Sequence, residues 1–286
     1  MKTVNSLSGG KTSAYIAANY KADFNVFALV RTDDQNCMFP DFKIRQIVSD
    51  KIGTEFIGTL EDDVIIYTML DLEQFIGSPI QWVTGKTFDK VIERGSGIPN
   101  LPQPMRRFCT TEMKLQPIFD WWRENINEPV EMRIGFRANE MRRAKNMIEK
   151  TNKNGFLVHR GIVGKSANGT KNKWADIEWQ KPTFPLIENG LFKDKIVEFW
   201  KDKPVRFAWM NNCVGCMHKE PILLKKMMQL HPNKLQWFID RENEAKKMNG
   251  NTWRQDVTYE QIAFWNAQYE LFEDDFNECD SGYCGH

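Results

Sequence analysis

In the first ~150 residues, short apolar runs alternate with stretches whose apolar positions recur at three- and four-residue spacing, the pattern of strands followed by helices. The runs predict strands at 3–7, 25–31, 55–58 and 131–136, and the spaced stretches predict helices at 12–20, 42–52, 63–75 and 113–125. Such βα alternation predicts an α/β fold with a doubly wound, mostly parallel sheet. Between 152 and 173 the chain becomes polar and rich in Gly, Asn and Lys (TNKNG, SANGTKNK), which reads as loop and a pause in the sheet. Helical spacing returns at 193–200, 221–230, 233–248 and 259–272. The chain therefore divides into an α/β part, 1–190, and a helical C-terminal part, 191–286. No internal repeat or low-complexity segment interrupts it.

Composition narrows the class. A chain of 286 residues, 41% hydrophobic and 27% charged, buries a sizeable core and is neither disordered nor collagen-like. No run reaches the ~20 apolar residues of a membrane span, and the opening MKTVNSLSGG has no apolar signal segment, so a cytoplasmic protein without a membrane partner is expected. The net charge of +1 supplies no global field for nucleic acid. Locally, 139–173 carries nine Lys/Arg against two Glu, which is either a solvated face or a surface for phosphate or nucleic acid.

Ser8-Gly9-Gly10-Lys11-Thr12-Ser13 follows the first strand and opens the first helix, where free N–H groups and the positive helix end attract a phosphate. It is not a Walker A loop, because Asn5 stands where that pattern needs its first glycine. An ordinary tight βα turn is the other reading. Asp33 and Asp34, after the second strand, suit either a turn cap or nucleotide recognition. The six cysteines, Cys37, Cys109, Cys213, Cys216, Cys279 and Cys284, are too sparse for a disulfide scaffold. Cys213 and Cys216, at C-x-x-C spacing, can place two thiolates on one soft metal, and Cys109 can add a third. Cys37 reads as a small buried residue, His218 as a polar neighbour, and Trp121, Trp122 and the later tryptophans mostly as core. Residues 270–286 hold six acids and no Lys or Arg, a tail able to fold over a site.

The glycine loop resembles the PP-loop, Ser-Gly-Gly-x-x-Ser, of the adenine nucleotide α-hydrolase-like (HUP, Rossmann-like) superfamily. Further blocks, in order, resemble its PAPS reductase-like (phosphoadenosine phosphosulfate reductase) family. Arg107-Phe108-Cys109-Thr110-Thr111-Glu112-Met113-Lys114-Leu115-Gln116-Pro117 is similar to Cys-Cys-x-x-x-Lys-x-x-Pro, with Phe108 at the first cysteine. Ile134-Gly135-Phe136-Arg137-Ala138-Asn139-Glu140, followed by Arg142-Arg143, is similar to Gly-Ile-Arg-Ala-x-Glu-x-x-x-Arg. Phe184-Pro185-Leu186-Ile187 matches a Pro-Leu block, and Asn212-Cys213-Val214-Gly215-Cys216 resembles Gly-Cys-x-x-Cys with Asn212 at the glycine. Tyr283-Cys284-Gly285-His286 is similar to Glu-Cys-Gly-x-His, lacking the residue between Gly and His, while Glu278 stands beside Cys279.

The resemblance implies an adenine nucleotide (PAPS, APS or ATP) held by Ser8, Gly9, Gly10, Lys11, Thr12, Ser13, Asp33, Arg137, Glu140 and Arg143. It implies a metal at Cys109, Cys213, Cys216 and Cys284 or Cys279, either a [4Fe-4S] cluster or zinc. The leading activity is sulfonucleotide reduction, with Cys284 as nucleophile, Lys11 and Arg137 neutralising charge, and a thioredoxin-like reductant. A second reading is ATP-dependent sulfur transfer or nucleic-acid modification, with Mg²⁺ serving ATP. A third is a metal-stabilised binding module without catalysis.

Overall fold

Strand β1 (Thr3–Leu7) is buried from Val4 onward, and the Asn5 amide inside it donates to Asn25 Oδ1 and to the Tyr20 carbonyl, both at 3.0 Å. The computed structural model describes residues 1–93, 97, 99–166, 168 and 170–265. After β1 come α1 (Lys11–Asn19), β2 (Phe24–Leu29), α2 (Phe42–Ile52), α3 (Val64–Ile76), β3 (Ile80–Thr84) and α4 (Phe88–Glu93). A longer helical segment follows, made of α5 (Phe108–Thr110), a π-helical turn (Thr111–Leu115) and α6 (Gln116–Asn125). Then come β4 (Val130–Arg133), α7 (Met141–Ile148), β5 (Leu157–Lys165), β6 (Asn172–Thr183), α8 (Pro185–Glu188) and α9 (Lys193–Trp200). The described chain closes with α10 (Pro221–Leu230), α11 (Pro232–Asn249) and α12 (Tyr259–Phe264). None of these helices is long and apolar enough to cross a membrane.

The strands form one six-stranded sheet in the order β3-β2-β1-β4-β6-β5, parallel except for the edge strand β5. This is an α/β arrangement compatible with a Rossmann-like fold. Successive strand residues point to opposite faces, and both faces are apolar. Leu7, Phe27, Leu29, Ile80 and Trp82 pack with residues of α1, α3 and α9, whereas Val4, Val26, Ala28, Val83 and Met132 pack with Ile118, Phe119 and Trp122 of α6. A third core gathers Val30 and Leu60, from the loops beyond β2, with Leu224, Leu235, Phe238 and Tyr259 of the C-terminal helices and Trp253 of the connection between α11 and α12. Residues beyond 190 thus share cores with the sheet and its loops.

Two sequence expectations are corrected. The run at 55–58 is not a strand: Phe56 is buried, but the segment makes only isolated bridges, Gly58 with Thr32 and with Met38. The third parallel strand is Ile80–Thr84 instead, paired along its length with β2. Four residues with one glycine satisfy a strand pattern without supplying a ladder, and only the pairing decides. The polar stretch 152–173 is not a pause in the sheet, since β5 and β6 form an antiparallel hairpin through it. A ribbon that is mostly exposed hydrogen-bonds its backbone without burying an alternating face, so the period-two signal is missing. The predicted helix at 259–272 begins as expected, and its part beyond 265 lies outside the described residues.

Glu242 on α11 is fully buried and ties the C-terminal helices together: its carboxylate accepts Trp253 N at 3.0 Å and Tyr259 N at 2.7 Å. Burial pushes its pKa above the ordinary range, against those two donors. Glu242→Leu leaves both N–H groups unpaired in an apolar core and is expected to cost about 2–5 kcal/mol of folding stability. Denaturant titration measures it; a loss under about 1 kcal/mol would mean that the two donors find other partners.

Candidate functional site

The chain leaves β1, builds β2 and β3 on one side of it, and returns to build β4 on the other. In open α/β sheets the crevice at such a switch point, outside the C-terminal ends of the strands, is where ligands bind. The structure brings two of the sequence-predicted segments to that crevice. The loop after β1 closes on itself, with Ser8 N donating to Ser13 Oγ at 3.1 Å, the Ser8 and Ser13 hydroxyls 3.1 Å apart, and Ser13 Oγ donating to the Gly10 carbonyl at 3.2 Å. Gly9 has φ +83°, the left-handed region that favours glycine, and a Cβ there would stand 2.5 Å from Ile65 Cγ2. Gly10 caps α1, whose first turn has no acidic residue and no capping side chain. Thr12 and Ser13 are buried, and Lys11 Nζ lies 5.9 Å from the centre of the Phe207 ring.

The segment after β4 is in contact with this turn. A Cβ on Gly135 would lie 3.3 Å from Thr12 Cγ2 and 3.4 Å from Ser13 N, so this segment packs closely on the first turn of α1. Arg137, almost fully buried, donates its backbone N and its Nε to Glu140 Oε2 at 2.9 and 3.0 Å. Arg143 pairs with the other Glu140 oxygen and stacks on Phe136, its guanidinium carbon 4.4 Å from the ring centre. Glu140 therefore orients both guanidinium groups. Asp33 is exposed after β2 and accepts from Thr87 Oγ1 at 2.7 Å, while Asp34 caps the next turn by accepting Asn36 N at 2.8 Å.

Beside α1 lies a cavity of about 260 Å³ lined by Lys11, Thr12, Lys193, Phe207, Trp209 and Asn211. The next residue in the chain, Asn212, lines a second cavity of about 40 Å³ together with Cys109, Cys213, Cys216, Arg107 and Lys114. Asn212 has φ +66°, a conformation that asparagine tolerates better than other residues with a side chain. Glycine adopts the same backbone, so Asn212 and a glycine are conformationally equivalent at this position. A Cβ on Gly215 would stand 2.4 Å from the Phe238 ring, and Tyr259 Oη donates to the Gly215 carbonyl at 2.9 Å, so the third core seats the cysteine turn.

Burial pushes the Cys109 thiol up to about 11, with Cys216 adding to the rise and Arg107 opposing it. Burial and the Glu61 carboxylate raise Cys213 as well. Burial opposes the charge on Lys114, yet Glu61 at 2.8 Å keeps its pKa above the ordinary range. Lys219 is buried and donates to the Asn211 and Cys213 carbonyls at 3.0 and 2.8 Å, and burial lowers its pKa. Desolvation and the Arg107 and Arg254 charges lower His218, which lines the same cavity as the three cysteines. Cys37 is buried in the core, as expected. Glu61, Lys219 and Arg107 escaped the sequence reading of the site; Lys219, three residues after Cys216, carried a spacing signal, and Glu61 carried none.

Three cysteines line one cavity, but among the described residues no group of three His, Cys, Asp or Glu is placed to hold a metal ion. Cys279 and Cys284, the remaining members of the expected site, lie outside the described residues. The fold and site define an α/β protein with a glycine loop and a buried arginine paired with Glu140 at its switch point and a cysteine cavity alongside. Compared with known proteins, the chain matches no protein-family model, no curated protein and no solved structure.

Proposed function

We propose that this chain is a PAPS reductase-like enzyme on a doubly wound, HUP-type frame, binding an adenine nucleotide at the loop Ser8 to Ser13 and acting on it with cysteine chemistry in a reducing, cytoplasmic setting. The observation that carries this reading is the close approach of Gly135 to Thr12 and Ser13 at the switch point, together with a cavity on Lys11 and Thr12 that ends at Asn211, next in the chain to Asn212 of the cavity of Cys109, Cys213 and Cys216. Backbone N–H groups at the start of α1 suit phosphate or sulfate oxygens, and Lys11, Arg137 and Arg143 suit their charge. Asp33 is the candidate for the nucleoside end.

In the leading reaction the Cys284 thiolate attacks the sulfate sulfur of PAPS or APS, forms an enzyme S-sulfonate and releases the nucleotide as leaving group. A thiol of a thioredoxin-like reductant then displaces sulfite and forms a disulfide with Cys284, so the two electrons gained by sulfur come from the thiol pair. Cys109, Cys213 and Cys216 line one cavity without forming a ligand group as they stand, so a [4Fe-4S] cluster or zinc, with Cys279 as fourth ligand, would have to draw them together. Either would keep those thiols deprotonated against the burial that raises Cys109 and Cys213.

Anaerobically purified protein is expected to release sulfite from PAPS or APS in the presence of a thiol reductant, and Cys284→Ser is expected to lower the rate by about a thousandfold or more. Pyrophosphate released from ATP and Mg²⁺ only when nucleic acid is present, with no sulfite, would replace reduction by ATP-dependent modification. Turnover of neither substrate would leave a binding module.

A further inference from the structure

The hairpin of β5 and β6 leaves the sheet. β6 pairs with β4 only from Gln180 onward, so the residues from Asn172 to Trp179 run past β4 with β5 as their sheet partner. At about 3.3 Å per residue this ribbon extends roughly 25 Å beyond the N-terminal end of β4, away from the glycine loop. Between residues 150 and 175 the chain has six Lys/Arg and no acid. Arg160 stands opposite Asp176, but Lys165, Lys171 and Lys173 gather at the tip, where Gly164 pairs with Lys173 and Ser166 N donates to the Lys171 carbonyl. All three lysines are exposed. Trp174, 55% exposed, pairs across the ribbon with Ile162; strand alternation puts it on the face of Asn172 and its partner Lys165, opposite to the face of Lys173.

Lysines on an edge discourage strand addition, which explains cations alone. They do not explain an indole held in solvent next to them, since an exposed tryptophan counteracts that protection. Cations on both faces of a ribbon tip, with an exposed aromatic ring at the base of that cluster, supply the two elements of single-strand recognition, backbone neutralisation and base stacking.

We propose that this ribbon is a docking arm for single-stranded nucleic acid, with Lys165, Lys171 and Lys173 on the phosphates and Trp174 stacked on a base. α7 connects the arm to the site, since it begins after Glu140, the partner of Arg137 and Arg143, and ends short of Asn152, which donates to Glu178 at the base of the ribbon. The arm does not depend on which reaction the glycine loop serves.

The test is fluorescence anisotropy of a labelled mixed-sequence oligonucleotide of about 15 nucleotides, titrated with the full-length protein at several salt concentrations. The wild type is expected to bind, and the triple variant Lys165→Glu, Lys171→Glu, Lys173→Glu to bind at least about a hundredfold more weakly, with a salt slope smaller by about 2. Lys201→Glu, Lys246→Glu, Lys247→Glu makes the same charge change on exposed lysines elsewhere and is expected to retain binding within about threefold. Trp174→Ala is expected to lose about tenfold. The corresponding lysine-to-glutamine triple variant, with an unchanged circular dichroism spectrum, separates loss of contact from loss of fold. Equal weakening by the control triple variant, unchanged binding by Trp174→Ala, or equal binding of polyglutamate or anionic vesicles would overturn the proposal.

Discussion

Lys114→Met lowers folding stability by about 3–5 kcal/mol and disorganises the cysteine cavity, because it strands a buried charge. Glu61 is 1% exposed; Lys114 Nζ sits 2.8 Å from its Oε1, and its Oε2 has no hydrogen-bond partner. Removing the cation leaves a carboxylate in a core that includes Leu60 and Val214, next to the bridge between Glu61 and Cys213. The cost of breaking such a pair comes from the charge left behind and not from the lost attraction, so Glu61→Leu combined with Lys114→Met recovers most of the stability. Denaturant midpoints for the two single variants and the double variant measure this. A Lys114→Met loss below about 1 kcal/mol, or a double variant no better than the single, refutes it.

Gly9→Val produces the second large effect. The residue is held at φ +83°, where a β-branched side chain is strained, and its Cβ would start 2.5 Å from Ile65, itself 1% exposed. Strain and overpacking together are expected to cost about 3–5 kcal/mol. Nucleotide binding, measured by calorimetry with APS or ATP, is expected to disappear. Ser13→Ala separates site from fold: it removes the hydroxyl that accepts Ser8 N, costs about 1 kcal/mol, and weakens nucleotide binding while the protein stays folded. Full binding by both variants would remove the glycine loop from the nucleotide reading.

Helices with an apolar stripe were legible within a residue or two: 42–52, 193–200 and 221–230 match α2, α9 and α10. Two of them carry a start or stop in local chemistry: Asp41 accepts Lys43 N and Ile44 N and Gly53 closes α2 with φ +66°, and Pro221 opens α10. The glycine loop and the cysteine pair were legible because a tight turn and thiol spacing are local properties. Asn212 stands at the glycine of the pattern its segment resembles, and its left-handed backbone is one that glycine also adopts, an equivalence that dihedral preference explains and letter matching misses.

Local periodicity and turn chemistry thus established an α/β chain with a tight glycine turn after the first strand, and the order of its helices. Tertiary structure alone decided that Ile80–Thr84, not 55–58, joins the sheet, since a strand exists only through its partner. It also decided that 152–173 is a ribbon, that Gly135 touches Thr12, and that Glu61 reaches Lys114 across 53 residues of chain. Those contacts depend on which faces are buried together, and burial is a property of the assembled sheet and helices that no short window of residues contains.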